Sequence, residues 1–181
     1  TLSLMGQGRN SFTERISLGF WLIPLIPLGL AVAIYFGGWQ TPTFLWINRY
    51  TQNLPDTLWA WLTFLGNGWG IFALCFPLLL LAPRLFCSGL IAASIGGILS
   101  QIVKPFLALP RPAAVLPLED FYRIGEPLLN RAMPSGHTLT AFAVAAGLYF
   151  ASDKEKRSSM WWVFILALHA GISRNALGAH W

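Results

Sequence analysis

Charged residues are scarce in this chain. They make up 10% of its 181 residues, whereas an ordinary soluble domain carries about 25%. Hydrophobic residues account for 55% of the sequence, and the mean hydropathy is +0.58. A chain with so little charge and long apolar runs is typical of an integral membrane protein. Its length is that of one domain, so we expect residues 1–181 to form a single transmembrane domain.

Cysteine is also rare, and no cluster of metal ligands is present. The two cysteines, Cys75 and Cys87, both lie in apolar surroundings, which excludes a disulfide framework and zinc-type spacing. No carboxylates are spaced like metal ligands, and the sequence predicts neither a metal nor another cofactor. The net charge is +5, but the basic residues are scattered. The absence of an interleaved basic and aromatic stripe argues against nucleic-acid binding.

Five apolar segments are long enough to cross a hydrocarbon core of about 30 Å as helices. They comprise residues 16–36, 58–82, 85–103, 135–151 and 160–179. The predicted fold class is therefore all-α, a polytopic transmembrane helix bundle. Gly89, Ala93 and Gly97 recur at four-residue spacing in the third segment. Small residues at this spacing predict close approach of another helix.

Alternation of the spans places three helix ends on one side of the membrane. The third span ends at Lys104, the fourth begins at Pro134 and the fifth ends near His180. With the N-terminus inside, the Lys and Arg residues divide six to six. Without Lys104, Arg111 and Arg174, which have a chemical role below, the division is six inside to three outside. The positive-inside rule then favours an inside N-terminus, with the shared end facing out.

The stretch after Met133 is typical of an anion-binding helix start. It reads Pro134, Ser135, Gly136 and His137, followed by an apolar segment. Proline suits the first turn of a helix because its missing N–H is not needed there. The unpaired N–H groups of such a helix end attract phosphate. His137 follows closely enough to give or take a proton.

Two further clusters supply charge and a second imidazole. Lys104 precedes Arg111 by seven positions, and Arg174 precedes His180 by six. Three cations suit a phosphomonoester, which carries close to two negative charges, and arginine forks match phosphate oxygens. One imidazole can attack phosphorus, and another can protonate the leaving group. These residues alone leave open which histidine has which role.

The three clusters, in this order and spacing, resemble the type 2 phosphatidic acid phosphatase family of membrane lipid phosphatases. The same site serves bacterial acid phosphatases and vanadium haloperoxidases, and the resemblance covers residues 58–181. It implies that His180 is the nucleophile and His137 the acid. It also implies that the phosphate is bound by residues of all three clusters: Lys104, Arg111, Ser135, Gly136 and Arg174.

One part of the family pattern lies beyond Trp181. In the family, the third motif continues to an aspartate four positions after the histidine, and a sixth helix follows. Such a carboxylate holds the imidazole in the correct tautomer, and removing the equivalent function from serine proteases costs about 10⁴ in rate. We therefore expect the 181-residue chain to be inactive or severely impaired and the full-length protein to be active.

The predicted function is a metal-independent phosphatase of the bacterial inner membrane, with its site facing the periplasm. Its partners would be the bilayer and a lipid phosphate. The candidate substrates are phosphatidic acid, phosphatidylglycerol phosphate, undecaprenyl diphosphate and lipid A. The sequence does not choose among them, because the catalytic motifs contact the phosphate and do not distinguish headgroups or tails. One alternative is a non-catalytic phosphate-binding transport or scaffold protein. Another is a vanadium-dependent oxidase, which five apolar spans disfavour.

Two features outside the motifs also carry predictions. His169 lies inside the fifth span, four residues before Ser173, and is predicted to hydrogen-bond to another helix, with a proton relay as the alternative. The loop between the third and fourth spans is charged. Its charges are predicted to be solvated, with headgroup selection as the alternative: Glu119, Asp120, Arg123, Glu126 and Arg131.

Overall fold

The computed structural model describes residues 25–181, apart from the side chains of residues 26–28. All regular structure in this range is helical, which confirms the all-α class. The chain divides into two compact units, residues 1–40 and 41–181. In the first unit, helix α1 spans Leu25–Phe36. Residues 16–24 of the first predicted span lie outside the described residues.

Nine further helices follow between residues 40 and 181. They are α2 (Gln40–Thr51), α3 (Asp56–Phe64), α4 (Gly68–Cys75), α5 (Leu78–Leu81), α6 (Pro83–Leu107), α7 (Pro112–Val115), α8 (Gly136–Ala151), α9 (Lys154–Arg157) and α10 (Trp162–Ala176). The main packing is between α6, α8 and α10, with α8 in the middle.

Helices α6 and α8 run antiparallel along a seam of small residues. The hydroxyl of Ser88 donates a 2.9 Å hydrogen bond to the carbonyl of Gly147. A Cβ added at Gly147 would lie 2.8 Å from the Cβ of Ala92, and one added at Gly96 would lie 2.9 Å from an α8 side chain. The predicted ladder is therefore partly wrong, because Gly97 faces open space. Because α6 is apolar on most of its surface, its sequence does not indicate which side packs against α8.

Three small apolar clusters hold the helices together. The cluster between α8 and α10 comprises Ala141, Ala145, Val163, Ala167 and Ala170. The cluster shared by α4, α6 and α8 comprises Ile71, Cys75, Phe86 and Val144. The contact of α3 with the end of α10 comprises Trp59, Ala176 and Leu177. Alanine and glycine dominate around α8, which allows the helices that carry the polar motifs to approach closely.

Helix α2 is anchored by a buried amide. Asn48 is 0% exposed, and its Nδ2 donates to the carbonyls of Tyr122, Asn175 and Ala176 at 2.9, 3.0 and 3.3 Å. Its Oδ1 accepts from the backbone N–H of Tyr122 at 2.8 Å. The last carbonyls of a helix lack intrahelical partners, so this one side chain caps α10 and ties the loop before α8 to α2.

The five predicted spans are not confirmed. Within residues 25–181, the helical stretch Pro83–Val115, with a mean hydropathy of 1.8, is long and apolar enough to cross a membrane by itself. Helices α3 and α4 meet that criterion only as a pair, and they are bent by 75° at the break between them. The predicted second span is interrupted where Gly66 and Gly68 flank Asn67, and α8 and α10 have only 16 and 15 residues.

Candidate active site

The segments that follow α6 and α10 meet at the beginning of α8. Nη1 of Arg111 donates to the carbonyl of Ala179 at 2.9 Å, and Nε1 of Trp181 donates to the carbonyl of Pro110 at 2.7 Å. Nζ of Lys104 lies 3.7 Å from the position that a Cβ on Gly136 would occupy. The structure thus brings the three sequence clusters together at one end of the helix bundle.

Helix α8 begins at Gly136, and its N-cap is Ser135, whose Oγ accepts from the N–H of Thr138 at 3.4 Å. Pro134 precedes this N-cap and therefore lies outside the helix, so the prediction that it occupies the first helical turn is wrong. The first N–H groups of a helix have no intrahelical acceptor, and this end carries a positive partial charge. The N–H groups of Gly136 and His137 can therefore bind an anion.

His137 is packed against the break between α3 and α4. A Cβ added at Gly66 would lie 2.7 Å from the Cβ of His137, so only glycine allows this approach. Asn67 follows and caps α4, because its Oδ1 accepts from the N–H of Trp69 at 2.9 Å. Sequence reasoning did not place Gly66 in the site. The sequence does indicate a break at this point, since two glycines flanking an asparagine interrupt an apolar run.

The two arginine side chains of the site are held by neutral oxygens. Nη1 of Arg174 donates to Oγ1 of Thr63 at 2.8 Å, and its Nε is buried without a partner. Nε of Arg111 donates to the carbonyl of Asn130 at 2.7 Å. In the described part of the chain, neither guanidinium is paired with a carboxylate, and no three His, Cys, Asp or Glu side chains converge on one point. The uncompensated positive charge therefore suits an anion.

His180 is almost completely buried, at 3% exposure, and its Nδ1 has no hydrogen-bond partner. Burial, followed by the charges of Arg111 and Arg174, lowers the pKa of His180 to about 3; Lys104 adds to this, and the carbonyl of Ala132 opposes it. The imidazole is therefore neutral at neutral pH. A neutral imidazole retains the lone pair that nucleophilic attack requires.

One cation of the loop before α8 lies close enough to the site to act on Lys104. Burial lowers the pKa of Lys104, and the charges of Arg111, Arg131 and Arg174 lower it further, although the side chain of Arg131 is itself exposed. Arg123, in the same loop, instead forms a local hydrogen bond, in which its Nη1 donates to the carbonyl of Gly125 at 2.7 Å. Arg131 therefore has a closer relation to the site than the sequence indicated.

His169 is outside this cluster. Its side chain is exposed, and Nδ1 lies 2.7 Å from the carbonyl oxygen of Ile165, one turn earlier on the same helix. A carbonyl oxygen only accepts, so Nδ1 is the donor. The predicted hydrogen bond to another helix is wrong, because the nearest acceptor is in the residue's own helix.

Comparisons with known proteins indicate the family of this chain. The family model of the PAP2 superfamily matches residues 84–181, more than half of the chain. No curated protein sequence matches significantly. The crystal structure of LpxE from Aquifex aeolicus is similar, with a TM-score of 0.62 and 27% sequence identity over 78% of this chain and 82% of that one. The two matches indicate a phosphatase, and the chain belongs to the PAP2 superfamily.

Proposed function

We propose that this protein is an integral membrane lipid phosphatase, which hydrolyses a phosphate monoester or diphosphate on a lipid through a phosphohistidine intermediate. The observation that carries the proposal is the meeting of uncompensated cations with two imidazoles at the start of α8. The residues concerned are Lys104, Arg111, Arg174, His137 and His180. The second imidazole favours catalysis, since binding alone does not require it.

Substrate binding uses the charge of the site. The guanidinium groups of Arg111 and Arg174 bind phosphate oxygens, and Lys104 contributes a point charge. The free N–H groups of Gly136 and His137 complete the site together with the hydroxyl of Ser135, whose oxygen accepts from the N–H of Thr138 while its hydrogen donates to a phosphate oxygen. Phosphoryl transfer depends mainly on positioning and charge stabilisation, and these residues supply both.

The reaction proceeds in two displacements. Burial, followed by the charges of Arg174, Lys104 and Arg111, lowers the pKa of His137 to about 4 in the phosphate-free site, and the negative charge of bound phosphate offsets these cations so that His137 can hold a proton. In the first displacement, a ring nitrogen of neutral His180 forms a bond to phosphorus while the bond to the lipid oxygen breaks, and protonated His137 gives its proton to that oxygen. In the second, His137 takes a proton from water, whose oxygen attacks phosphorus. The bond to His180 breaks, and inorganic phosphate leaves.

A bilayer environment is supported by the outer side of α6. Its apolar side chains are 41–61% exposed: Leu90, Ile91, Ile95, Ile98 and Ile102. Exposed apolar surface on this scale marks contact with a membrane or a partner. Together with the charge distribution of the sequence, it supports a position in the inner membrane with the site facing the periplasm.

The test is phosphate release by the purified full-length protein in detergent with EDTA present. The substrates are phosphatidic acid, phosphatidylglycerol phosphate, undecaprenyl diphosphate and lipid A. We expect release from at least one lipid, its inhibition by vanadate, and its loss in His180→Ala. EDTA-sensitive release would contradict the metal-independent mechanism. Folded protein that releases phosphate from none of the lipids would favour the non-catalytic phosphate-binding alternative.

A further inference from the structure

Ser100 has a buried hydroxyl group without a partner. It lies on α6, one turn before Lys104, at 0% exposure, and its Oγ forms no hydrogen bond. An unpaired buried hydroxyl destabilises the fold. The other two serines of α6 avoid this, because Ser88 donates to α8 and Ser94 donates to the carbonyl of Leu90 in its own helix.

The hydroxyl points towards the start of α8. Its Oγ lies 3.3 Å from the position that a Cβ on Gly136 would occupy, and Nζ of Lys104 lies 3.7 Å from the same point. Residues four apart share one side of a helix, so the hydroxyl and the ammonium face the same helix end. Among the described residues, no hydrogen bond holds the ammonium of Lys104.

We propose that Ser100 is a positioning residue of the phosphate site, whose hydroxyl accepts a hydrogen bond from the ammonium of Lys104 when phosphate is bound at the start of α8. This inference rests on the function proposed above. A lysine is a point charge on a flexible stem with three donors. One bond to a buried serine holds the ammonium in place, while the other donors remain for phosphate oxygens.

Because Ser100 is buried, it acts through Lys104 and not by direct contact with the substrate. This distinguishes a positioning residue from a structural one. A structural serine would stabilise the protein, whereas the unpaired hydroxyl of Ser100 destabilises the phosphate-free state. Its removal should therefore weaken phosphate binding without lowering the melting temperature.

The experiment compares full-length wild type with Ser100→Ala, Lys104→Ala, the double variant and the control Ser94→Ala. The readouts are KM and kcat for the preferred lipid, the Ki of inorganic phosphate and the melting temperature. In Ser100→Ala we expect KM and Ki to rise about 10- to 100-fold, the effect of one hydrogen bond to a charged group. The variant's kcat should change less than about 2-fold and its melting temperature should not fall. The double variant should bind phosphate as weakly as Lys104→Ala, since the two residues act as one unit.

Three results would overturn the inference: wild-type KM and Ki in Ser100→Ala, a lowered melting temperature with unchanged KM, or additive losses in the double variant. If the wild type releases phosphate and Ser100→Ala has the same KM and Ki, only the inference about Ser100 is contradicted. A wild type that releases no phosphate would remove the proposed function. Calorimetric titration with inorganic phosphate then tests Ser100 separately, and equal affinity in wild type and Ser100→Ala, or no binding to wild type, would contradict its role.

Discussion

Nη1 of Arg174 donates a 2.8 Å hydrogen bond to Oγ1 of Thr63, although the two residues are 111 positions apart. Thr63 lies in the last turn of α3, and Arg174 lies in the last turn of α10. The hydrogen bond orients the guanidinium and leaves donors for a substrate. Helix α3 therefore contributes to the site although no sequence motif lies on it.

Replacing Thr63 with valine keeps the shape of the side chain and removes the acceptor for Arg174. We expect kcat/KM to fall about 10- to 100-fold, because a hydrogen bond to a charged group contributes about 1.5–3 kcal/mol. Steady-state kinetics with the preferred lipid measures the effect. Thr57→Val, at an exposed position of α3, is the control and should match wild type. Equal kinetics for both variants would show that Thr63 does not orient the arginine.

Replacing Gly66 with alanine should displace His137. The added Cβ would lie 2.7 Å from the Cβ of His137, whereas one added at Gly68 meets nothing within 4 Å. We expect Gly66→Ala to lower kcat at least about 10-fold, since small displacements of a catalytic group have large effects on rate. Gly68→Ala should retain activity. Activity assays and melting temperatures of the two variants check this, and a fully active Gly66→Ala would contradict the observed packing.

Replacing Asn48 with alanine should destabilise the protein by about 2–4 kcal/mol, because several buried backbone groups lose their partners. The amide caps the end of α10 and binds both polar backbone groups of Tyr122. Asn53→Ala is the matched control, since Asn53 is exposed and donates only to the nearby carbonyl of Tyr50. Chemical unfolding in detergent measures both variants. A loss of stability no larger than that of the control would contradict the capping role.

The buried state of His180 predicts a loss of stability in acid. Burial and Arg111 lower its pKa from 6.5 to about 3, so between these values the unfolded chain binds a proton that the folded chain does not. The free energy of unfolding therefore falls as the pH drops below 6.5, by at most about 1.4 kcal/mol per pH unit from this group. Unfolding of wild type and His180→Gln at several pH values measures it, and wild type should show the steeper fall. If the free energy of unfolding had the same pH dependence in wild type and His180→Gln, the predicted effect of His180 would be refuted.

The all-helical class and the convergence of the motifs follow from the sequence because apolar runs predict helices and the polar clusters sit at their ends. The position of Thr63 could not be predicted in this way. It depends on the packing of α3 against the end of α10, where Trp59 contacts Ala176 and Leu177, and apolar periodicity does not specify which helix is the neighbour. The sequence indicates that Gly66 interrupts the run, but not which residue the break contacts.

The seam between α6 and α8 shows a second limit. The sequence favoured Gly97, whereas the seam uses Gly96, and Ser100 lies four residues further along the same side. On an apolar helix, neighbouring positions are equally hydrophobic, so periodicity does not select one side. For the same reason His169 gave no sign that it would be exposed and bonded to Ile165 in its own helix.

The central claim is that His180 carries the phosphoryl group, and trapping the covalent intermediate tests it most directly. Full-length protein is mixed with a lipid that carries radioactive phosphorus in the phosphate to be released, and the reaction is quenched within one turnover. The protein is then analysed for label on histidine, which is acid-labile and base-stable. We predict that wild type is labelled on His180, that His180→Ala is unlabelled, and that His137→Ala is labelled more slowly. Label retained in His180→Ala, or turnover of wild type without any labelled histidine, would contradict the account.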